Sequence, residues 1–217
     1  AVRNSTPLNR DFTNIAKEVR KASYDPALVG YTTTTPDPRD THPNDPRFFV
    51  LGDIMEGWRE ITSFAPSKAP YHGHLRQHGF DVPFDREPAY WRPRAGDYGP
   101  SAEPTMIAPD LSDTVWLADC GLDYLRGHLG HSWFLHLGFY RPHPPFIAPP
   151  GYHDLYHPAS LPKAVRAASA GEEGAQHPLL KFYLETVENA KFFEAAEGLG
   201  ADLSDAQIGL MRAAYCG

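Results

Sequence analysis

The chain has 217 residues, with 20 Lys plus Arg against 27 Asp plus Glu, a formal net charge of −7 and a pI of about 5.8. That acidic balance argues against a nucleic-acid-binding face and against adsorption to an anionic membrane, and 41% hydrophobic residues argue against wholesale disorder. Two cysteines give neither a disulfide framework nor a cysteine zinc site, no apolar run approaches the roughly 20 residues of a membrane span, and no secretory leader opens the chain, so a reducing, cytoplasmic setting is expected.

In chain order, Phe12, Ile15, Ala16 and Val19 form an apolar stripe at helical spacing, with Asp11 placed to cap it. Tyr24-Asp25-Pro26 breaks that helix. Ala27-Leu28-Val29-Gly30-Tyr31 then reads as a strand buried on both faces. From Thr32 to Ser112 the chain holds 12 of its 22 prolines, with periodicity only near Phe48–Ile61 and Lys68–His78. Trp58, Tyr71, Tyr90, Trp91 and Tyr98 make this a shaped excursion with short helices rather than a linker. Regular structure resumes at Asp113: Val115, Ala118, Leu122 and Leu125 mark a helix, and Trp133–Tyr140 a second buried strand. Two helix-then-strand units predict an α/β fold with a parallel sheet. An Ala/Gly patch at Ala167–Ala175 precedes a long helix with Leu180, Tyr183, Leu184, Val187 and Ala190 on one face. The last helix opens on a capping box, Ser204 and Gln207. The abrupt ends give the chain the look of a piece of something longer.

Ligands of parallel α/β sheets sit outside the carboxyl ends of the strands. Tyr31-Thr32-Thr33 follows the first strand and Arg141-Pro142-His143 follows the second. Tyr and Thr hydroxyls suit an anion's oxygens, and a histidine can donate to a departing oxygen. Other histidines compete for attention. His72, His74 and His78 would share a helical turn, and His153 and His157 mimic a zincin spacing, but Asp154 replaces the base and Gly151 and Pro158 bracket the motif. Hydrogen-bonded loop histidines are the simpler expectation. Asp119 and Asp123 read as a solvated helix face, Cys120 as a packing thiol, and Asn4-Ser5-Thr6 as a formal glycosylation sequon.

The run Leu28-Val29-Gly30-Tyr31-Thr32-Thr33-Thr34-Thr35-Pro36-Asp37-Pro38-Arg39 resembles the segment after the nucleophile helix of phosphonate monoester hydrolases, sulfatase-type members of the alkaline phosphatase superfamily. Trp133–Pro150, with Arg141-Pro142-His143-Pro144-Pro145-Phe146, resembles the strand and H-x-P-F loop of sulfatases, and Pro83–Trp91 fits between them. The resemblance implies an alkaline-phosphatase-like, mostly parallel sheet flanked by helices and incomplete in this chain. Residues 1–217 would be a single domain, the central part of a sulfatase-type catalytic domain. It also implies that Tyr31 and Thr33 contact the substrate's charged oxygens and that His143 assists at the leaving group.

The implied parent enzyme is a hydrolase of phosphonate monoesters, phosphodiesters or sulfate esters that uses a divalent metal (Mn or Ca) and a formylglycine nucleophile. Neither Cys120 nor Cys216 fits the C-x-[PA]-x-R motif from which formylglycine is made. The metal-binding Asp pair would precede Ala1, and the Asp-His pair with its Lys would follow Gly217. No metal or cofactor is therefore expected within this chain, and the chain alone is expected to be inactive. The expected partners are a small anionic ester and further copies of the chain, with no nucleic acid or membrane. Two rival readings are a non-catalytic anion- or partner-binding module and a zinc protein built on the histidine clusters.

Overall fold

The computed structural model describes residues 7–9, 11–49, 53–64, 67–82, 102–193 and 197–217. The chain divides into two compact units, one from the described residues up to Asp81 with Asp113–Tyr140, the other from those of 82–112 with Arg141–Gly217. The sequon, the Pro83–Trp91 run and Tyr98 lie outside the described residues.

In the first unit, helix α1 runs Ile15–Lys21. Asn14, not Asp11, caps it by accepting a 3.0 Å hydrogen bond from the Lys17 amide. The predicted stripe is only partly buried. Ala16 is sealed, while Phe12 and Ile15 stand exposed, because a helix of seven residues presents only about two turns to the sheet. Strand β1 (Pro26–Gly30) is buried at every position, as its apolar run predicts. Strand β2 (Arg59–Ser63) pairs with it in parallel on one side and strand β3 (Phe134–Leu137) in parallel on the other, giving the order β2-β1-β3. The parallel pairing expected of the two helix–strand units is thus present, between β1 and β3.

Two details depart from the sequence reading. β2 lies where no strand is predicted, and β3 is shorter and only half buried, as suits a strand that among the described residues pairs on one side. Helix α2 (Ala69–Gln77) buries Tyr71 and Leu75. Helix α3 (Asp113–Gly127) packs on β1 and β3 through Trp116, Leu117, Gly121 and Tyr124 rather than through Val115 and Leu122, which are exposed. An aromatic cluster fills the core beyond the strand ends. Phe64 lies 5.5 Å from Tyr71 and 5.2 Å from Tyr140 between ring centroids, and Tyr71 lies 5.4 Å from Trp116.

The second unit is built from short helices and braced loops. Helix α4 (Ala170–Gly174) occupies the Ala/Gly patch and is capped by Ser169. Helix α5 covers Pro178–Thr186, shorter than expected. It stops because the next residues are taken by antiparallel pairing: the Gly200 amide donates to the Val187 carbonyl and the Asn189 amide to the Gly198 carbonyl, both at 2.8 Å. Helix α6 (Asp205–Cys216) has the predicted capping box, with the Ser204 amide on Gln207 Oε1 at 2.9 Å and the Gln207 amide on Ser204 Oγ at 3.3 Å. Phe146 anchors this unit among Phe192, Phe193 and Tyr215. Among the described residues no helix is long and apolar enough to cross a membrane.

Candidate functional site

The carboxyl end of β1 is shaped by two glycines. Gly30 has φ +110°, a conformation L side chains rarely adopt, and a Cβ there would meet the Gly138 carbonyl oxygen at 2.1 Å. This close approach is locked by backbone hydrogen bonds, from the Gly138 amide to the Val29 carbonyl and from the Phe64 amide to the Gly30 carbonyl, both 2.9 Å. The chain leaving β1 is thereby held against the chain leaving β3, and Tyr31 meets Tyr140 edge-on with ring centroids 5.9 Å apart.

Three hydroxyls follow. The middle one, Thr32, is committed to the fold: its Oγ1 donates to the Asp53 carbonyl at 3.0 Å and accepts from the Met55 amide at 2.7 Å. Thr34 pairs with Asp53 alongside. On either side of the fastened Thr32, Tyr31 is half-buried and Thr33 exposed, the two hydroxyls that the resemblance singles out.

Sequence reasoning passed over Lys68, which precedes α2 as its cap residue. It is half-buried, with its Nζ 5.3 Å from the centre of the Tyr140 ring and 5.6 Å from that of Phe64. No motif marks it in the sequence. Its only signal is its position just past β2, a strand that the sequence does not announce.

His143 belongs to the second unit, on an exposed loop. Arg141 braces that loop by donating from Nη1 to the Pro145 carbonyl at 2.7 Å, and Phe146 ties its far end into the aromatic cluster. His143 Nδ1 lies 2.8 Å from the Pro144 carbonyl. A carbonyl only accepts, so Nδ1 carries a proton and any proton His143 passes on leaves through Nε2.

The remaining candidates resolve into structural roles. The His74 and His78 rings lie tilted to each other with centroids 4.4 Å apart at the end of α2, and burial together with the nearby His78 charge pushes the His74 pKa below its usual value against a smaller opposing pull from Asp119. His153 accepts from the Gly151 amide at 3.3 Å and His157 from the Ala159 amide at 3.2 Å, both as local turn caps. Asp123 pairs with Arg126 at 2.8 Å on the exposed face of α3. Burial, with Asp123 and Asp119 nearby, raises the Cys120 thiol pKa, which disfavours the thiolate. Among the described residues no three His, Cys, Asp or Glu side chains converge as a metal site.

No family model matches the chain. It is 46% identical over 219 residues to the multifunctional alkaline phosphatase superfamily protein PehA of Trinickia caryophylli, a match that takes in 100% of this chain and 42% of that protein. Its fold superposes on the crystal structure of a phosphonate monoester hydrolase of Agrobacterium radiobacter with a TM-score of 0.86 and 32% identity, over 96% of this chain and 41% of the other. The phosphonate monoester hydrolase SpPMH of Silicibacter pomeroyi gives a TM-score of 0.85 and 36% identity, over 99% and 42%. The chain thus spans about two fifths of the length of these relatives. Sequence and fold agree with the resemblance read from the motifs: these 217 residues are homologous to part of the phosphonate monoester hydrolase-type proteins of the alkaline phosphatase superfamily.

Proposed function

We propose that these residues supply the anion-holding part of a hydrolase acting on phosphonate monoesters, phosphodiesters or sulfate esters. The observation that carries the proposal is the match along the whole chain to such relatives, with Tyr31 and Thr33 at the carboxyl end of the central strand. Tyr31 and Thr33 donate hydrogen bonds to the nonbridging oxygens of the ester. His143 donates from Nε2 to the oxygen that departs, while its Nδ1 proton stays on the Pro144 carbonyl and fixes the ring's orientation.

The resemblance places the ligands of its divalent metal outside these residues, no three His, Cys, Asp or Glu side chains converge among the described residues, and neither cysteine sits in a formylglycine-forming motif. The roles assigned to this chain therefore rest on its own side chains. Alone, the 217 residues bind the anion without turning the ester over. Self-association and a cytoplasmic setting belong to the same proposal. Sedimentation velocity over a hundredfold concentration range tests self-association, and a single monomeric boundary throughout would overturn it.

The test of function uses a nitrophenyl phosphonate, phosphodiester and sulfate with added Mn²⁺ or Ca²⁺. The chain alone should give no metal-dependent release of nitrophenol. In the polypeptide extended by its flanking reading frame, turnover should appear. His143→Ala should then cost about 10²–10⁴-fold on esters with poor leaving groups and far less on esters of very acidic phenols. Equal losses across the leaving-group series would overturn the role of His143. Anion binding without turnover in the extended polypeptide would favour a non-catalytic anion-binding module.

A further inference from the structure

Four threonines in a row, Thr32 to Thr35, follow Tyr31 as the chain leaves β1. A threonine hydroxyl has one proton to donate and lone pairs with which to accept. Thr32 uses both: its Oγ1 donates to the Asp53 carbonyl at 3.0 Å and accepts from the Met55 amide at 2.7 Å. One half-buried side chain thereby satisfies two main-chain groups that lie 21 and 23 positions further along the chain. Its single proton is committed to a carbonyl, so Thr32 has none to offer an anion. The same segment takes hold of the chain again two residues later, where the Asp53 amide donates to the Thr34 carbonyl at 3.1 Å.

Thr33 lies between these two attachments. Before it, the backbone is fixed through Gly30, whose carbonyl accepts from the Phe64 amide at 2.9 Å, and through the Thr32 side chain; after it, through the Thr34 carbonyl. The anchoring segment is itself braced. The Ile54 amide donates to Asp53 Oδ1 at 2.8 Å, and Arg47, which chelates Asp45 through Nε and Nη2, sets its Nη1 3.7 Å from Asp53 Oδ2. A hydroxyl on a backbone held on both sides keeps its place before a ligand arrives, and less freedom is then lost on binding. Valine at position 32 would keep the branched shape and lose the hydroxyl, making neither bond and loosening the attachment just before Thr33.

We propose that Thr32 is a positioning residue of the anion site: its hydroxyl fixes the backbone that presents the neighbouring Thr33 hydroxyl to an oxygen of the ester. The inference rests on the anion site proposed above and adds to it the residue that orients one of its donors.

Isothermal titration of the purified chain with inorganic phosphate, and separately with phenylphosphonate, tests it, with a urea midpoint recorded for every variant. Thr32→Val should weaken both anions roughly two- to tenfold, the scale of one neutral hydrogen bond. Thr32→Ser keeps a hydroxyl that donates and accepts, and should recover most of that loss; no recovery would overturn the inference. Because Thr32 acts through Thr33, Thr32→Val should add less than about twofold in a chain already carrying Thr33→Val. An undiminished further loss there would make Thr32 a residue of the fold alone and overturn the inference. Where the Thr33→Val chain binds too weakly to titrate, Tyr31→Phe is the background instead: the loss should persist in it, and its disappearance would overturn the inference. Unchanged affinity in Thr32→Val beside a loss in Thr33→Val would also overturn it, while the anion site stands. If neither Tyr31→Phe nor Thr33→Val weakens binding, or the parent binds neither anion, the anion site itself fails and the role of Thr32 with it. Thr32→Ala provides the comparison should Thr32→Val lose its fold, and loss of fold in both would assign Thr32 to structure and overturn the inference.

Discussion

Replacing Gly30 by Ala should be among the most damaging single-methyl changes in the first unit. Two costs add. The residue sits at φ +110°, and a left-handed conformation costs an L residue roughly 1–2 kcal/mol. The new Cβ would also meet the Gly138 carbonyl oxygen at 2.1 Å and the carbonyl carbon at 2.9 Å. Both are backbone atoms, so no rotamer change relieves the clash, and moving them strains the two 2.9 Å hydrogen bonds that join the strand ends. Overpacking of this kind typically costs about 1–3 kcal/mol. The sum, about 2–5 kcal/mol, is a large part of the ~5–15 kcal/mol by which folded proteins are stable.

Urea unfolding followed by tryptophan fluorescence measures it, and two other glycines serve as references. Gly138→Ala has no positive φ to pay for, but its Cβ would lie 3.0 Å from the Tyr31 carbonyl oxygen, so it should fall between the extremes at about 1 kcal/mol. Gly73, in α2, has nothing within 4 Å of its Cβ position, so Gly73→Ala should stabilise by roughly 0.4–1 kcal/mol. A Gly30→Ala protein within about 0.5 kcal/mol of the parent, or less damaged than Gly138→Ala, would refute the claim that this close approach fixes the end of β1.

Ser204→Ala should cost about 1 kcal/mol through loss of the α6 cap, and Gln207→Ala less, since the serine hydroxyl would still receive the Gln207-position amide; equal unfolding midpoints for Ser204→Ala and parent would show that the cap is energetically silent. The depressed His74 pKa sets a pH dependence. The unfolded state, with a pKa near the ordinary 6.5, binds a proton before the folded state does, so stability is full above about 6.5 and declines as pH falls below it towards the folded value. Urea midpoints measured from pH 8 to pH 5 should show that decline, and His74→Phe should reduce it; an unchanged slope in the variant would assign the decline to other groups. Asp25→Asn should cost under about 1 kcal/mol despite two arginine partners, because all three side chains are well exposed to water; a loss of several kcal/mol in the same titration would contradict this.

How much of this was legible in the sequence depended on whether each element declares itself locally. β1 does, because all five of its residues are buried and must be apolar or small, and the α6 capping box does, because its partners are three residues apart. β2 does not: Arg59, Glu60 and Ile61 are exposed, so the segment lacks an apolar run, and what makes it a strand is the neighbouring edge of β1. The end of α5 is equally non-local, set by the pairing of Val187 and Asn189 with residues about ten positions on. The candidate residues divide the same way. Tyr31, Thr33 and His143 were legible as polar residues following apolar runs, and by resemblance. The setting of Lys68 was not legible, since it depends on β2 and on the ring of Tyr140, which is 72 positions away in the chain.

Helix α3 shows why a correctly located element can still be turned the wrong way. Its sequence carries two apolar faces. Val115, Ala118, Leu122 and Leu125 repeat at the spacing expected of a core stripe, and the eye follows them because every member is aliphatic. The competing face holds Trp116, Leu117 and Tyr124 around Gly121, and it is the buried one. Apolarity does not decide between them; shape does. Gly121 lets the helix approach β3 until a Cβ there would lie 3.3 Å from Leu137 and 3.8 Å from Leu135, and the large rings on either side then close over the sheet. A face with a small residue between two aromatic ones can interlock with a neighbouring strand, whereas a uniform aliphatic stripe rests on it at a greater distance and leaves fewer atoms in contact. This choice also reaches the carboxyl end of β1. Burying Trp116 sets it against Tyr71 and Phe64, and Phe64 supports the ring of Tyr140 on which both Tyr31 and Lys68 lean.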